Sequence, residues 1–148
     1  MSVDMIITGG KQRFTAVLII MLLSCTRSFS GQRGLELSSP DFSSGGWMPR
    51  EYSGEGRDKS PELVWRGAPR TTESLALIVK DPDAPAGDWV HWVIYNIPAR
   101  KGGLGEGVHP EEVLSDGSIQ GLNSWGKTGY GGPMPPSGPA HRYYFRLY

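Results

Sequence analysis

The sequence predicts a single domain that is mainly β, with few and short helices. The chain has 148 residues, which is the length of one domain. Its 21 Gly and 12 Pro exceed average usage without reaching low complexity, as is typical of a turn-rich β protein. Short apolar and β-branched segments are separated by turn residues, which favours strands over helices.

The charge balance excludes several classes of partner. With 15 Lys+Arg against 15 Asp+Glu, the chain has no net positive field. Nucleic acids and anionic membrane surfaces attract proteins through such a field, so neither is expected to bind the whole molecule. We therefore expect any anion to bind locally, and any membrane to be reached only through a lipid anchor.

Residues 1–30 are predicted to be a signal segment, which leaves residues 31–148 as the domain. Lys11 and Arg13 precede an almost wholly apolar stretch at residues 14–23. At about ten residues, this stretch suits a secretory signal and is too short to span a bilayer as a helix. The alternative interpretation is a buried N-terminal element.

Two processing sites compete at the end of this segment. Ser28-Phe29-Ser30 is a small-x-small signal for release after Ser30, whereas residues 22–25 resemble a bacterial lipobox in which Cys25 carries lipid. The protein is therefore expected to be exported, either to the periplasm or as a membrane-anchored lipoprotein. Cys25 is the only cysteine, so the domain has no internal disulfide and no catalytic thiol.

The predicted elements follow in chain order. A short strand is expected at residues 35–37, and the denser core begins with residues 61–65, where Pro61 opens a strand. The uninterrupted apolar pattern of residues 74–80 predicts a central strand buried on both faces. Further strands are predicted at residues 89–95 and 141–148, and the only helix indicated, with Pro at its first turn, lies at residues 109–114.

Polar side chains cluster where these strands begin and end. Asp81 precedes Pro82, which restricts it to an extended backbone and fixes the direction of its carboxylate. Because side chains alternate along a strand, Trp89 and His91 should share one face, and so should His141 and Tyr143. The glycines in residues 130–136 could offer backbone amides as an oxyanion cradle. Taken singly, a histidine beside a tryptophan is more often a packed core residue, and an Asp before Pro is more often a turn former.

Other chemistries are weaker interpretations. The chain has no His-x-His, His-Glu-x-x-His or paired cysteines, so no metal site or cofactor is predicted. It has no Gly-x-Ser-x-Gly elbow, and nothing marks Ser137 as an activated nucleophile. The protein is therefore not expected to be an enzyme.

An ordered set of motifs resembles the phosphatidylethanolamine-binding protein family, in its bacterial Raf-kinase-inhibitor-like branch. The motifs extend over the chain from about Leu35 to Tyr148 and are Asp81-Pro-Asp-Ala-Pro85, His91-Trp92, Asn96-Ile-Pro98, Asn123-x-Trp125-Gly126, Tyr130-Gly-Gly-Pro-Met-Pro-Pro136 and His141-Arg-Tyr143. The resemblance implies a large central sheet with a smaller one beside it, and a shallow pocket for phosphate-type anions or phospholipid headgroups such as phosphoethanolamine. Carried over to this sequence, the pocket residues would be Asp81, Trp89, His91, Met134, Pro135, Pro136, His141 and Tyr143.

The sequence departs from the family pattern in two places. Bacterial relatives often have Cys where Met134 stands, so a thiol role at that position is not expected. The family also typically continues beyond the His141-Arg142-Tyr143 strand, whereas this chain stops at Tyr148. The domain is therefore expected to be incomplete at its C-terminus. Without the signal segment, its aromatic final strand is expected to be exposed at a sheet edge and prone to aggregation.

Three functional hypotheses follow. The first is non-enzymatic binding of a small phosphate-type anion or headgroup, with the histidines and Tyr143 donating hydrogen bonds and Asp81 orienting a histidine or binding an amine. The second is a protein-interaction module that inhibits a kinase or protease through the same pocket. The third, a phosphoester hydrolase using Asp81 and His91 as a base pair, has no visible nucleophile.

Overall fold

The structure, a computed structural model, describes residues 3–9 and 34–148, apart from the side chain of Val3. The described residues form strands and one short 3-10 helix, in agreement with the predicted mainly β class. The elements in chain order are β1 Val3–Gly9, β2 Glu36–Ser38, a 3-10 turn at Arg50–Tyr52, β3 Leu63–Arg66, β4 Ser74–Asp81, β5 Trp89–Pro98, β6 Gly103–Leu104, β7 Ile119–Gln120 and β8 His141–Leu147.

The strands form two antiparallel sheets. The larger has five strands in the order β1-β8-β4-β5-β7, and the smaller has three in the order β2-β3-β6. Apolar side chains from both sheets pack into a single buried cluster, with Leu63, Trp65 and Leu104 from the smaller sheet. This hydrophobic core is the main source of stability for the domain.

Strand β4 is buried on one face rather than on both. Leu75, Leu77 and Val79 are fully buried together with Asp81, whereas the intervening side chains are half-buried. The expectation of two buried faces was wrong because Ala76 and Ile78, although apolar, lie on the outer face. On that face Lys80 forms an ion pair with Asp88.

Strand β5 departs from simple alternation at two bulges. Val79 pairs with Trp92 and Lys80 pairs with Val90, so His91 has no partner in β4. A bulge breaks the alternation of side chains and increases the local twist. The consecutive residues His91 and Trp92 are therefore both buried. The second bulge lies near Asn96, whose φ of 54° is in the left-handed region that Asn tolerates.

The predicted helix at residues 109–114 is absent. The carbonyls of His109 and Glu111 accept hydrogen bonds of 2.7 Å each from the side-chain amide of Gln120, so the intrahelical pattern is replaced. Val113 then forms a β-bridge with Ile119. Hydrogen bonds from Gln120, which lies outside the segment, therefore stabilise its non-helical conformation. The helix prediction used only residues within the segment and could not include them.

Residues 3–9, inside the predicted signal segment, form β1. This strand pairs along its length with β8, and Met5 and Ile7 are buried. The apolar stretch at residues 14–23 and Cys25 lie outside the described residues, so the signal segment and lipidation stay predictions. Release after Ser30 would remove β1 together with the signal.

An exposed aromatic edge at β8 was expected for the chain without its signal segment, and hence without β1, so that expectation stays a prediction. With β1 present, strand β8 is not at a sheet edge. It lies between β1 and β4 and is hydrogen-bonded to both. On its outer face the Tyr144 ring has the guanidinium carbons of Arg142 and Arg146 at 6.0 and 5.3 Å from its centroid. Cation–π contacts of this kind cover part of the aromatic ring, and Ile6, its cross-strand partner in β1, lies on the same face.

Among the residues that the structure describes, no helix is long and apolar enough to cross a membrane.

Candidate functional site

A cavity of about 230 Å³ opens where β4 ends and β5 and β8 begin. All eight pocket residues expected from the sequence line it, and the ligand-binding role assigned to them stays a prediction. Cys25, the predicted lipidation site, lies outside the described residues. The full lining comprises Asp81, Ala84, Pro85, Ala86, Trp89, His91, Trp125, Met134, Pro135, Pro136, His141 and Tyr143.

Asp81 and His141 form a buried pair at the base of the cavity. His141 Nδ1 lies 2.7 Å from Asp81 Oδ2, so a hydrogen on Nδ1 is donated to the carboxylate. Asp81 Oδ1 accepts a hydrogen bond of 2.8 Å from the amide of Asp83, which closes a turn through Pro82. Asp81 therefore orients the His141 ring, and Nε2 of His141 is hydrogen-bonded to no described residue.

His91 is held by the backbone rather than by a carboxylate. Its Nδ1 lies 2.7 Å from the carbonyl oxygen of Gly131, and the His91 carbonyl accepts from the Gly131 amide at 2.9 Å. Burial lowers the pKa of His91, and this outweighs the Gly131 hydrogen bond and the nearby carboxylates, which favour the charged ring. His91 is therefore a neutral imidazole with its Nδ1 hydrogen donated to Gly131, which leaves Nε2 as an acceptor.

Tyr143 lies on the same side of the cavity. Its ring packs edge-on against His91, with the centroids 5.1 Å apart. Burial and the negative charge of Asp81 raise the pKa of the Tyr143 hydroxyl above its ordinary value. At neutral pH the hydroxyl keeps its proton and can donate it in a hydrogen bond.

The proposed oxyanion cradle of glycine amides is not available. The Gly131 amide donates to the His91 carbonyl, and the Gly132 amide donates to Asp58 Oδ1 at 2.6 Å. Both donors are thus satisfied within the protein, so the expectation was wrong. The missing side chains instead make room for other groups, because a Cβ on Gly131 would lie 2.8 Å from the Trp125 ring and one on Gly132 would lie 2.8 Å from Asp58 Oδ1.

The loop between β4 and β5 is fixed to β8 by a second pair of residues. Asp83 accepts three hydrogen bonds from Arg142, one from its amide at 2.9 Å and two from its guanidinium at 2.9 and 2.6 Å. These hydrogen bonds lower the pKa of Asp83 to about 2. Asp81 and Asp83 therefore hold His141 and Arg142, which are consecutive in β8.

Trp125 is one of four lining residues, with Ala84, Pro85 and Ala86, that the sequence did not assign to the pocket. Asn123 shapes its loop by accepting hydrogen bonds at Oδ1 from the amides of Trp125 and Lys127, at 3.0 and 3.1 Å. The Trp125 ring then packs edge-on against His91 and Trp89, with centroids 5.0 and 5.4 Å apart. The Asn-x-Trp-Gly motif was visible in the sequence, but its distance along the chain from β5 concealed the contact.

The segment Met134-Pro135-Pro136 forms the rim of the cavity. Met134 is 62% exposed, and the carbonyl of the preceding Pro133 accepts a hydrogen bond of 3.0 Å from the amide of Gly54. The prolines limit the conformations of this segment. The rim is therefore apolar and stiff, while the hydrogen-bonding groups lie deeper.

Within residues 3–9 and 34–148, no group of three or more His, Cys, Asp or Glu side chains is placed to hold a metal ion.

The fold and the cavity define a β protein with a small preformed pocket that combines two histidines, a carboxylate and aromatic walls. Residues 38–148 match the family model described as phosphatidylethanolamine-binding protein. The chain belongs to the phosphatidylethanolamine-binding protein family.

Curated relatives agree with this membership. The chain is 50% identical over 114 residues to a UPF0098 protein of Methanothermobacter thermautotrophicus, covering 77% of this chain and 75% of the relative. It is 42% identical over 115 residues to a UPF0098 protein of Aquifex aeolicus, with coverage of 77% and 67%. These names identify no ligand.

Two solved structures have the same fold. E. coli YbcL, described as a member of the mammalian family of these proteins, aligns with a TM-score of 0.71 at 32% identity, covering 78% of this chain and 76% of its own. The family homologue CT736 of Chlamydia trachomatis aligns with a TM-score of 0.67 at 36% identity, with coverage of 76% and 73%.

Proposed function

We propose that the protein binds a small phosphate-type anion, free or as a phospholipid headgroup, and does not catalyse a reaction on it. The observation that carries this proposal is the arrangement of the two histidine rings. Each has its Nδ1 engaged by a protein acceptor, Gly131 or Asp81. Both rings line the same cavity, and the Nε2 of each is hydrogen-bonded to no described residue.

The two rings and Tyr143 supply the hydrogen bonds that a phosphate needs. Protonated at Nε2, each imidazole donates a charge-assisted hydrogen bond to a phosphate oxygen, and the Tyr143 hydroxyl donates a third. Because burial lowers the pKa of His91, the empty pocket holds this ring neutral. Binding a phosphate dianion then requires that His91 take up a proton, so the affinity depends on pH.

The absence of catalysis is proposed from the nucleophiles available. Among the described residues, the cavity is lined by no Ser, Thr or Cys. Its other nucleophile types are Tyr143, the two histidines and Asp81, whose two oxygens accept hydrogen bonds from His141 and Asp83. The raised pKa of Tyr143 keeps its oxygen protonated and therefore weakly nucleophilic at neutral pH. Binding without turnover fits this set of side chains.

The first prediction is that affinity for the phosphate dianion, corrected for the protonation of phosphate itself, falls as pH rises between about 5.5 and 8, because the neutral His91 ring contributes no charge. Calorimetric titration of the 148-residue chain with inorganic phosphate measures this. The double variant His91→Asn, His141→Asn should lose binding. The variant His109→Asn should not, because the His109 side chain is 80% exposed and lies outside the cavity.

Equal affinity across this pH range, or unchanged binding by the double variant, would contradict phosphate binding in the cavity. Incubation with p-nitrophenyl phosphate tests the second half of the proposal. Release of nitrophenolate that depends on His91 would show that the protein is an enzyme.

A further inference from the structure

Strand β1 lies in a slot between β8 and residues 45–48. On one side it pairs with β8 in antiparallel register over its whole length. On the other side the Thr8 amide donates to the carbonyl of Gly46, and the Thr8 carbonyl accepts from the Met48 amide, both at 2.8 Å. Extended peptides bind to sheets through backbone hydrogen bonds of this kind, and the pockets for alternate side chains give the specificity.

Strand β1 can leave this slot without interrupting the rest of the fold. It is the first element of the chain and the outermost strand of the larger sheet, so the order β8-β4-β5-β7 is continuous without it. It also lies in the predicted signal segment, and release after Ser30 would remove it. The edge of β8 would then be unpaired, and open sheet edges pair with other extended chains.

The inward-facing residues of β1 define what the slot accepts. Met5 and Ile7 are 1% and 0% exposed and belong to the hydrophobic core. Gly9 is the next residue on that face, and a Cβ there would lie 2.8 Å from Cε2 of Tyr143 and 3.2 Å from Cβ of Pro133. The slot therefore requires two apolar residues at alternate positions, followed at the next alternate position by glycine.

The outer face of the slot adds a preference for negative charge. Asp4 lies opposite Arg146 in the register of the two strands, and its Oδ2 is 3.1 Å from Arg146 Nε. An acidic residue directly before the first apolar position therefore complements β8.

We infer that the slot binds an extended segment of another polypeptide in place of β1, antiparallel to β8 and with the pattern acidic-apolar-x-apolar-x-Gly. A second copy that is processed at the same site also lacks β1, so it cannot supply this strand. The slot is a second site and does not depend on the proposed function. Its glycine position nevertheless lies beside Tyr143, which also lines the anion cavity.

A capped, fluorescent peptide with the sequence of residues 3–9 tests the slot. The 148-residue chain carrying Ile7→Ala holds its own β1 less firmly, so it should bind the peptide saturably and about 10-fold or more tightly than the wild-type chain does, as measured by fluorescence anisotropy. The peptide should also raise the midpoint of thermal unfolding of this variant, because it binds only the folded chain. If the variant is partly unfolded alone, the peptide should restore a cooperative transition.

Two altered peptides separate the slot from general edge pairing. Gly9→Val in the peptide should weaken binding about 10-fold or more, because its side chain would meet Tyr143 and Pro133. The matched control is Thr8→Val in the peptide, which changes the opposite face and should bind as the original does. Valine favours extended structure, so a peptide held by its backbone alone would lose nothing through Gly9→Val.

Equal binding to the wild-type and Ile7→Ala chains, or equal binding of the Gly9→Val peptide, would place the peptide elsewhere and overturn the inference. A peptide that neither binds nor stabilises the Ile7→Ala chain would also overturn it. Dimers of the wild-type chain that dissociate when the peptide is added, seen by light scattering, would identify a second copy as the occupant and would likewise contradict it.

Discussion

His91 shows how one residue can serve both the core and the site. It is the bulged residue of β5, it is 3% exposed, and its ring packs between Trp125 and Tyr143. The surroundings that fix the ring also make its charged form costly, because burial removes water from the imidazolium. An anion that enters the pocket favours the protonated ring, so the protonation of His91 should change when the anion binds.

The second prediction concerns the pH dependence of stability. Because the pKa of His91 is lower in the folded chain than its ordinary value of 6.5, the unfolded chain binds more protons just below that pH. The contribution of His91 is therefore complete above pH 6.5 and is lost as pH falls from there to the folded pKa. We expect His91→Asn to reduce this fall in stability.

Urea unfolding at a series of pH values measures the effect. His109→Asn serves as the control, because that side chain is largely exposed. A decline in stability below pH 6.5 that is identical in wild type and His91→Asn would show that His91 is not the group responsible.

At the scale of structural elements, the loop from Asp81 to Trp89 is held to β8 by side-chain contacts. Its carboxylates bind β8 at two consecutive residues, and the bidentate contact between Asp83 and Arg142 has good geometry for a charge-assisted pair. The loop also forms one wall of the cavity through Ala84, Pro85 and Ala86. Loss of this contact should therefore affect stability and ligand affinity together.

The third prediction is that Asp83→Asn lowers the free energy of unfolding at pH 7 by about 1 kcal/mol, a figure reduced for solvent screening at this partly exposed site. Since the pKa of Asp83 is lowered from 3.8 to about 2, its stabilising effect is complete above pH 3.8 and is lost toward pH 2. Thermal unfolding at pH 7 and pH 2 should show that the difference between wild type and variant disappears at the lower pH.

Asp88→Asn provides a comparison, because Asp88 also pairs with a cation, Lys80, but its side chain is 57% exposed. If both variants lose the same stability, the Asp83 contact has no special role in the loop.

Strand β1 covers the edge of β8 that does not pair with β4. It pairs with residues 141–147 and contributes Met5 and Ile7 to the core. Its outer side is partly covered by residues 45–48, which exchange backbone hydrogen bonds with Ile6 and Thr8. The strand is thus integrated into the domain through both edges.

The fourth prediction is that Ile7→Ala lowers the free energy of unfolding by about 2–5 kcal/mol, as expected for a large-to-small change in a packed core. Ile7 is 0% exposed, whereas its half-buried neighbour Ile6 should lose less when changed to Ala. Denaturant unfolding of the full chain measures both. Small and equal losses would place β1 outside the stable domain and would favour its removal with the predicted signal segment.

For the molecule as a whole, the local signals of strand periodicity and proline position predicted the class of fold, and the family resemblance supplied eight of the twelve residues that line the cavity. Asp81 and His91 could be placed at strand ends from their neighbours alone. The bulge at His91, the contact of Trp125 and the engagement of the Gly131 amide could not be predicted, because each depends on residues distant in the chain. Strand β1 was missed because its sequence precedes an apolar stretch that indicated a leader.

The fifth prediction concerns the binding of phosphate at the two Nε2 atoms that accept or donate no hydrogen bond among the described residues. Binding at these atoms distinguishes the proposed pocket from any other anion site. Long-range ¹H–¹⁵N spectra of the histidine side chains, recorded as phosphate is added at constant pH, observe these atoms directly. Phosphate should shift the Nε2 signals of His91 and His141 in a saturable manner and leave His109 unchanged, since His109 lies outside the cavity. Unshifted His91 and His141 signals at saturating phosphate, or shifts confined to His109, would contradict the account.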